Sequence, residues 1–421
     1  MEKNPLTAAS SEMNNSGISI DTSQVAKPLP TVSWHDPKRY LWLLGLLVPT
    51  LPFMAYLLAK VSGLGFFWWW GPIFIFGIMP GLDTLVGRDG LNPPDEVIAR
   101  LEADRYYRWC TYLFLPIQYA SLIWACWMWA HGGLSVVDKA GLALTIGSVS
   151  GIAINTAHEL GHKKETVERW LSRVALAQTG YGHFFIEHNR GHHVRVATPE
   201  DPASSRLGES FWAFWPRTVS GSFKSAWRLE KTRLNRSNKS PWTLKNDVLN
   251  AWAMSVVLAA CLLIAFGIGI APWLAIQAVF GFSLLEVVNY LEHYGLLRQK
   301  SEDGRYERCQ PRHSWNSNNV SSNVLLYHLQ RHSDHHANPT RRYQALRSFD
   351  EAPELPSGYA TMIVLAYITP LWRKVMDKRV LAHYGGDVTL ANIHPRKASK
   401  ILRRYGNKSM PSNENPGSVA A

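Results

Sequence analysis

The chain has 421 residues, 46% of them hydrophobic, with 18 Trp, four Cys and a formal net charge of +12. Cys110, Cys126, Cys261 and Cys309 form no CxxC pair, and three lie in or at the ends of apolar runs, which excludes a disulfide framework and a thiolate metal site. The positive charge suits an anionic lipid surface or an acidic partner. It sits between apolar runs and not in a stripe on a soluble module, so nucleic acid is not expected as a partner.

Residues 1–35 are polar, rich in Ser, Asn and Thr, and lack the charged start and apolar core of a signal peptide. They read as a disordered cytosolic tail. Apolar runs follow at residues 40–59, 66–86, 109–130, 140–157, 251–270 and 271–290. A bilayer core needs roughly 20 apolar residues per helix. The expected fold is therefore an all-α integral membrane protein with six transmembrane helices in three hairpins. The linkers at 60–65, 131–139 and near 270 hold only Lys60 and Lys139, whereas residues 161–250 hold about fifteen Lys and Arg. By the positive-inside bias that segment is cytoplasmic, and six spans then place both termini inside. One domain is expected over residues 36–395, with a histidine-rich helical cytoplasmic cap from residues 161–250 and 297–395. Residues 363–372 are apolar but short and hold Pro370, which suits an interfacial or buried element; residues 396–421 read as a disordered tail.

Histidines concentrate where the chain leaves the spans. His158 and His162 form HxxxH at the end of the fourth run. His188, His192 and His193 form HxxxHH; His293 follows the sixth run; His332, His335 and His336 form HxxHH. On a helix, residues three and four apart are neighbours, so each tract is expected to present its imidazoles on one face. Taken alone, His158-Glu159-Leu160-Gly161-His162 matches the zinc-protease HExxH pattern, with Glu159 as general base. More imidazoles are offered, however, than one four-coordinate zinc accepts. Nine suit two metal ions, and imidazole alone does not choose among Zn, Cu, Fe and Ni. A metal transporter would line a path across the bilayer, whereas these residues gather at one side.

The HxxxH, HxxxHH and HxxHH tracts resemble the integral-membrane di-iron hydroxylase and desaturase superfamily. Within it, His158-Glu159-Leu160-Gly161-His162-Lys163-Lys164-Glu165, Asn289-Tyr290-Leu291-Glu292-His293-Tyr294-Gly295-Leu296, residues 313–318 and residues 329–337 resemble the membrane-bound alkane 1-monooxygenases. The resemblance spans residues 40–386 and implies a multi-pass enzyme of the bacterial inner membrane. It also implies two non-haem Fe ions on the nine histidines, O2 as co-substrate, and terminal hydroxylation of linear medium-chain alkanes to 1-alkanols. Electrons are implied to arrive from NAD(P)H through rubredoxin reductase and rubredoxin. An aromatic side-chain hydroxylase or a fatty-acyl desaturase is the nearest alternative.

Ligating histidines commonly donate their far ring nitrogen to a carboxylate. Glu159, Glu187, Glu292 and Asp334 lie beside the tracts and are the candidates for that role. His328 shares a helical face with His332 and is a further ligand or supporting residue. His183 and His313 are expected to be structural, and His35, His131, His383 and His394 to lie at the surface. An alkane offers no polar handle, so an apolar channel must hold it, each buried CH2 contributing about 0.8 kcal/mol. The first three spans are expected to line that channel, with Leu58 a candidate; the Trp68-Trp69-Trp70 run suits an interfacial belt at the outer face. Lys224, Arg228, Lys231, Arg233 and Arg236 form a basic stretch suited to docking an acidic rubredoxin.

Overall fold

A computed structural model describes residues 33–406, and the compact body of the fold begins at His35. The described residues are helical, with isolated β-bridges and no longer strand. The expected N-terminal tail lies outside the described residues apart from its last three positions.

Six helices are long and apolar enough to cross a bilayer: Leu41–Ser62, Gly65–Val86, Arg105–His131, Val136–Gly161, Asp247–Phe266 and Ile268–His293. They match the six apolar runs and pair as three hairpins through short links. Local chemistry sets their ends. The first span closes at Gly63, which takes the left-handed φ of 71° that a helix C-terminus favours. The fourth is capped by the Ser135 side chain on the Asp138 amide, and the fifth by Asn246 on the amides of Val248 and Leu249.

The fourth span is the axis of the bundle: 89% of its most apolar stretch is buried, against 17–50% for the others. Lipid tails are as apolar as leucine, so close packing and hydrogen bonds hold spans together. Gly147 and Gly151 supply the packing. A Cβ at Gly151 would stand 2.9 Å from the backbone oxygen of Gly281 on the sixth span, closer than real Cβ contacts allow. Several polar groups buried among the spans are paired. Ser150 donates to Gln277 (2.9 Å), and Glu286 accepts from Tyr181 (2.6 Å) and Thr218 (2.8 Å). Such pairing is what unwatered polar groups require.

Thr166–Ala177 runs back along the fourth span, where its Ala175 carbonyl accepts from Gln118 of the third (3.3 Å), and at the histidine end a further layer includes Phe211–Asn235, Tyr359–Tyr367 and Thr369–His383. Its core packs Trp372 against Tyr290 and Tyr294, just before and after His293. One expectation is corrected here. The tail expected from residue 396 is helical over Ala398–Tyr405, because Ile401 is buried against Gly208. Residues 407–421 of that tail lie outside the described residues.

Candidate metal centre

All nine singled-out histidines converge, in two sets. His158, His162, His188, His193 and His335 offer ring nitrogens within 4.8 Å of one another, and so do His192, His293, His332 and His336. His158 and His162 occupy the last turn and C-cap of the fourth span, and His293 ends the sixth. His332, His335 and His336 lie on the short helix His332–Ala337.

His158 and His162 stay in one set, as one face per tract requires, but the sets cut across the other two tracts, which corrects that expectation for them. Adjacent residues diverge by about 100° on a helix. His192 and His193 therefore part company, and so do His335 and His336. The pairing of His188 with His193 has a specific cause. The helix Phe184–Glu187 continues as a π-turn over His188–His192. A π-turn aligns residues five apart and not four. It brings His188 Nε2 to 3.0 Å from His193 Nε2 and frees His192 for the other set.

The fit to metal ions rests on these nitrogens. His158 Nε2 stands 2.8 Å from His335 Nε2, which is 3.1 Å from His193 Nε2. In the second set His332 Nε2 lies 2.9 Å from His336 Nε2 and 3.3 Å from His293 Nε2. Two nitrogens each about 2.1 Å from one ion and at right angles stand about 3 Å apart. Shared protons cannot satisfy the sets: His162 Nε2 and His192 Nε2 are buried without a hydrogen-bond partner. Leaving such groups unpaired is costly, and a cation among the lone pairs removes the cost. Burial first, and then neighbouring imidazoles, push His162, His188, His335 and His336 well below the usual histidine range. They are neutral, as ligation requires. The donor set fits two ions of a metal that accepts imidazole, with five nitrogens on one side and four on the other.

The carboxylates fall differently from expectation. Glu159 pairs with Lys163 (2.9 Å), Glu187 with Arg195 (2.7 Å), and Asp334 with Arg341 (2.7 Å); none of the three hydrogen-bonds an imidazole. Glu292 does approach one, its Oε2 lying 3.2 Å from His332 Nε2, on the side facing the other imidazoles. The carboxylate on a far ring nitrogen is Asp201, which accepts from His192 Nδ1 at 2.9 Å. Burial alone would raise the Asp201 carboxyl. The His192 imidazole and hydrogen bonds from His192 and Ser204 outweigh it and hold the group at about 2. Nothing in the spacing of residues 192–201 signals this contact.

Other histidines stay outside both sets. His328 faces Trp42 and meets the Tyr343 carbonyl through Nδ1 at 2.8 Å, so it supports the fold. His183 packs among Tyr181, Phe223 and Trp252, and His313 pairs with Glu307 at 3.1 Å. His35 and His131 are exposed, and His383 and His394 half-buried.

An apolar cavity leads away from the centre, with His158, His188 and His332 at one end and Ile75, Gly151 and Leu284 among the residues that continue it. Its free volume is about 60 Å³, several times the roughly 10–15 Å³ that admits one water. It is a slot for a slim ligand. The second, fourth and sixth spans and the helix Tyr359–Tyr367 form its walls. Leu58, half-buried on the first span, does not line it, nor do Trp68, Trp69 and Trp70. Trp68 instead stacks on Trp124, and its carbonyl accepts from Thr145 at 2.7 Å. The span facing the slot could not be read from apolar runs that look alike.

Comparison with known proteins agrees with this geometry. The fatty acid desaturase family model matches residues 139–366. An alkane 1-monooxygenase of Acinetobacter baylyi is 50% identical over 88% of this chain and 92% of its own length. One from Ectopseudomonas oleovorans is 47% identical over 92% and 96%. The hydroxylase component of a Pseudomonas putida xylene/toluene monooxygenase is 25% identical over 75% and 83%. Six spans, two imidazole sets at the head of an apolar slot, and identity at this level lead to one conclusion: the chain is a multi-pass membrane oxidoreductase that belongs to the alkane 1-monooxygenase family.

Proposed function

We propose that the protein hydroxylates the terminal carbon of linear medium-chain alkanes with O2, at two non-haem iron ions held by the nine histidines. The observation that carries this reading is the convergence of nine buried imidazoles at one end of a narrow apolar slot. When bound, the iron pair supplies activation of O2 for insertion into a C–H bond. His158, His162, His188, His193 and His335 would hold one ion; His192, His293, His332 and His336 would hold the other. Asp201 fixes the His192 ring by accepting from Nδ1, so that Nε2 faces inward.

The protein's other task is positioning. An alkane binds by burial, and a slim slot admits it end-on, presenting a terminal carbon to the histidine end. Ile75, Ile152 and Leu284 supply apolar contact, while tight walls keep water from the reacting end. Glu292 stands at the junction of slot and centre, within reach of His332 and of the Tyr359 hydroxyl. Its place suits control of a proton near the reacting carbon. The Lys and Arg bias supports a cytoplasmic setting for this end of the bundle and for both termini, and an inner-membrane location goes with the family reading.

The test supplies purified protein with octane, O2, reductant, rubredoxin reductase and rubredoxin. The expected result is 1-octanol as the main product, with iron near two per chain. Turnover of xylene or acyl substrates but of no alkane would replace this reading with one of its neighbours, and zinc near one per chain without iron would replace the chemistry.

Rubredoxin is the proposed electron donor, docked on the exposed Lys224, Arg228, Lys231, Arg233 and Arg236 of the helix Phe211–Asn235 and its C-cap. Arg190, Arg228, Arg233 and Arg236 share one surface depression there, and Arg190 lies inside the π-turn that carries His188 and His192. Electrostatic docking predicts a steep fall of turnover with salt when rubredoxin is limiting, and a shallow one when it is saturating. Equal salt sensitivity in both regimes would remove this surface as the dock.

A further inference from the structure

We propose that the groove between the helices Thr369–His383 and Ala398–Tyr405 binds the headgroup of an anionic phospholipid. The helix Tyr359–Tyr367 and the start of Thr369–His383 form a re-entrant corner. The ring of Tyr367, at its tip, meets Phe76 of the second span at 6.3 Å, and Phe76 meets Phe280 of the sixth at 6.4 Å. Phe76 lies ten residues before Val86, the histidine-side end of its span. At 1.5 Å per residue the corner therefore reaches about 15 Å below that end, well into the hydrocarbon of a bilayer roughly 30 Å thick. Ile368 and Leu371 at the corner are each 46% exposed, and Trp212, which donates to the Tyr367 carbonyl at 3.1 Å, is 62% exposed. In a membrane these side chains face acyl chains, with an indole anchored beside them.

From that corner the helix Thr369–His383 climbs back toward the water. At 1.5 Å per residue Lys378 lies about 15 Å above Ile368, at the level of the headgroups, and Arg373 and Lys374, about 7 to 9 Å above it, are long enough to snorkel toward that level. With Arg404 from the second helix they line a groove of about 770 Å³ with Pro370, Leu381 and Ala382 as its apolar part. Lys374, Lys378 and Arg404 are exposed and form no ion pair among the described residues. Arg373 donates to the Gly208 carbonyl, but its Nε is buried without a partner. The carboxylate between the two helices, Asp377, is turned inward and accepts from Tyr294 (2.8 Å) and Tyr405 (3.3 Å). Four cations thus stand over an apolar ramp that enters the bilayer. A soluble acidic protein would match the charge but leave the ramp uncovered; a lipid phosphate with its acyl chains on Leu371 and Ile368 matches both.

The experiment reconstitutes the full chain in nanodiscs of mixed phosphatidylglycerol and phosphatidylcholine, then counts lipids retained after detergent extraction. The comparison is Lys374→Ala/Lys378→Ala/Arg404→Ala, with Lys300→Ala/Arg305→Ala as a control for general charge. Wild type and control are expected to retain phosphatidylglycerol selectively. The triple variant is expected to lose that preference, each removed cation lowering it about fivefold, while thermal stability and saturating turnover show that it folds. Equal retention in wild type and triple variant would overturn the proposal. So would displacement of the lipid by millimolar inorganic phosphate, which would mark a simple anion site. Slower turnover only at limiting electron carrier, with lipid retention unchanged, would overturn it in favour of an acidic protein.

Discussion

His332→Ala is expected to lose iron and alkane turnover together, leaving iron near one per chain and activity at background. His332 Nε2 is the hub of the four-imidazole set, 2.9 Å from His336 Nε2 and 3.3 Å from His293 Nε2. Removing it leaves three nitrogens where a closed shell needs four or more. Loss of a residue that only supports a ligand lowers metal affinity roughly 10–100-fold, and loss of a ligand exceeds that. The fold should survive, because the spans meet through Gly147, Gly151 and Gly281, well away from this residue. The exposed His131 provides the contrast: His131→Ala should keep both iron and rate. Iron per chain by elemental analysis, beside the rate of 1-octanol formation, reads both quantities. A His332→Ala protein with full iron and full rate would strike His332 from the ligand set.

The sequence made the spans legible because a bilayer demands long uncharged runs, and each of the six apolar runs is a helix. It also marked the nine histidines that gather, since so many imidazoles at helical spacing have few structural uses. Their division was not legible. A helix of ordinary pitch would pair His188 with His192; the π-turn over His188–His192 pairs it with His193 instead. The slot was hidden for a different reason. Apolar residues facing lipid, a neighbouring helix or a cavity look the same in a chain, so Leu58 and Ile75 could not be told apart until the spans were packed around the fourth. The helix Ala398–Tyr405 was concealed by its charge: five of the ten residues 396–405 are Lys or Arg, and the single buried Ile401 fixes it.

Asp201→Asn is expected to weaken binding at the four-imidazole set roughly 10–100-fold without unfolding the protein. Asp201 is buried and held as a carboxylate, and it accepts from His192 Nδ1 (2.9 Å), Ser204 Oγ (2.6 Å) and the Ala203 amide (3.2 Å). Asparagine matches its shape and keeps one acceptor oxygen, so the loop from Thr198 to Ser204 can close as before. What disappears is the negative charge behind His192, which makes the ring a better donor through Nε2. The effect should therefore appear in iron retention under a chelator before it appears in thermal stability. It should also differ between ions: one iron should leave much faster than in the wild type, while the second, on the five-imidazole set, leaves at the wild-type rate. The comparison variants are Glu187→Gln and Asp334→Asn, which also remove a carboxylate near the histidines. Those two hydrogen-bond Arg195 and Arg341 and no imidazole, so they should disturb stability more than iron. If all three variants lose iron alike, the contact between Asp201 and His192 has no special role in holding the metal, and the general field of nearby carboxylates takes its place.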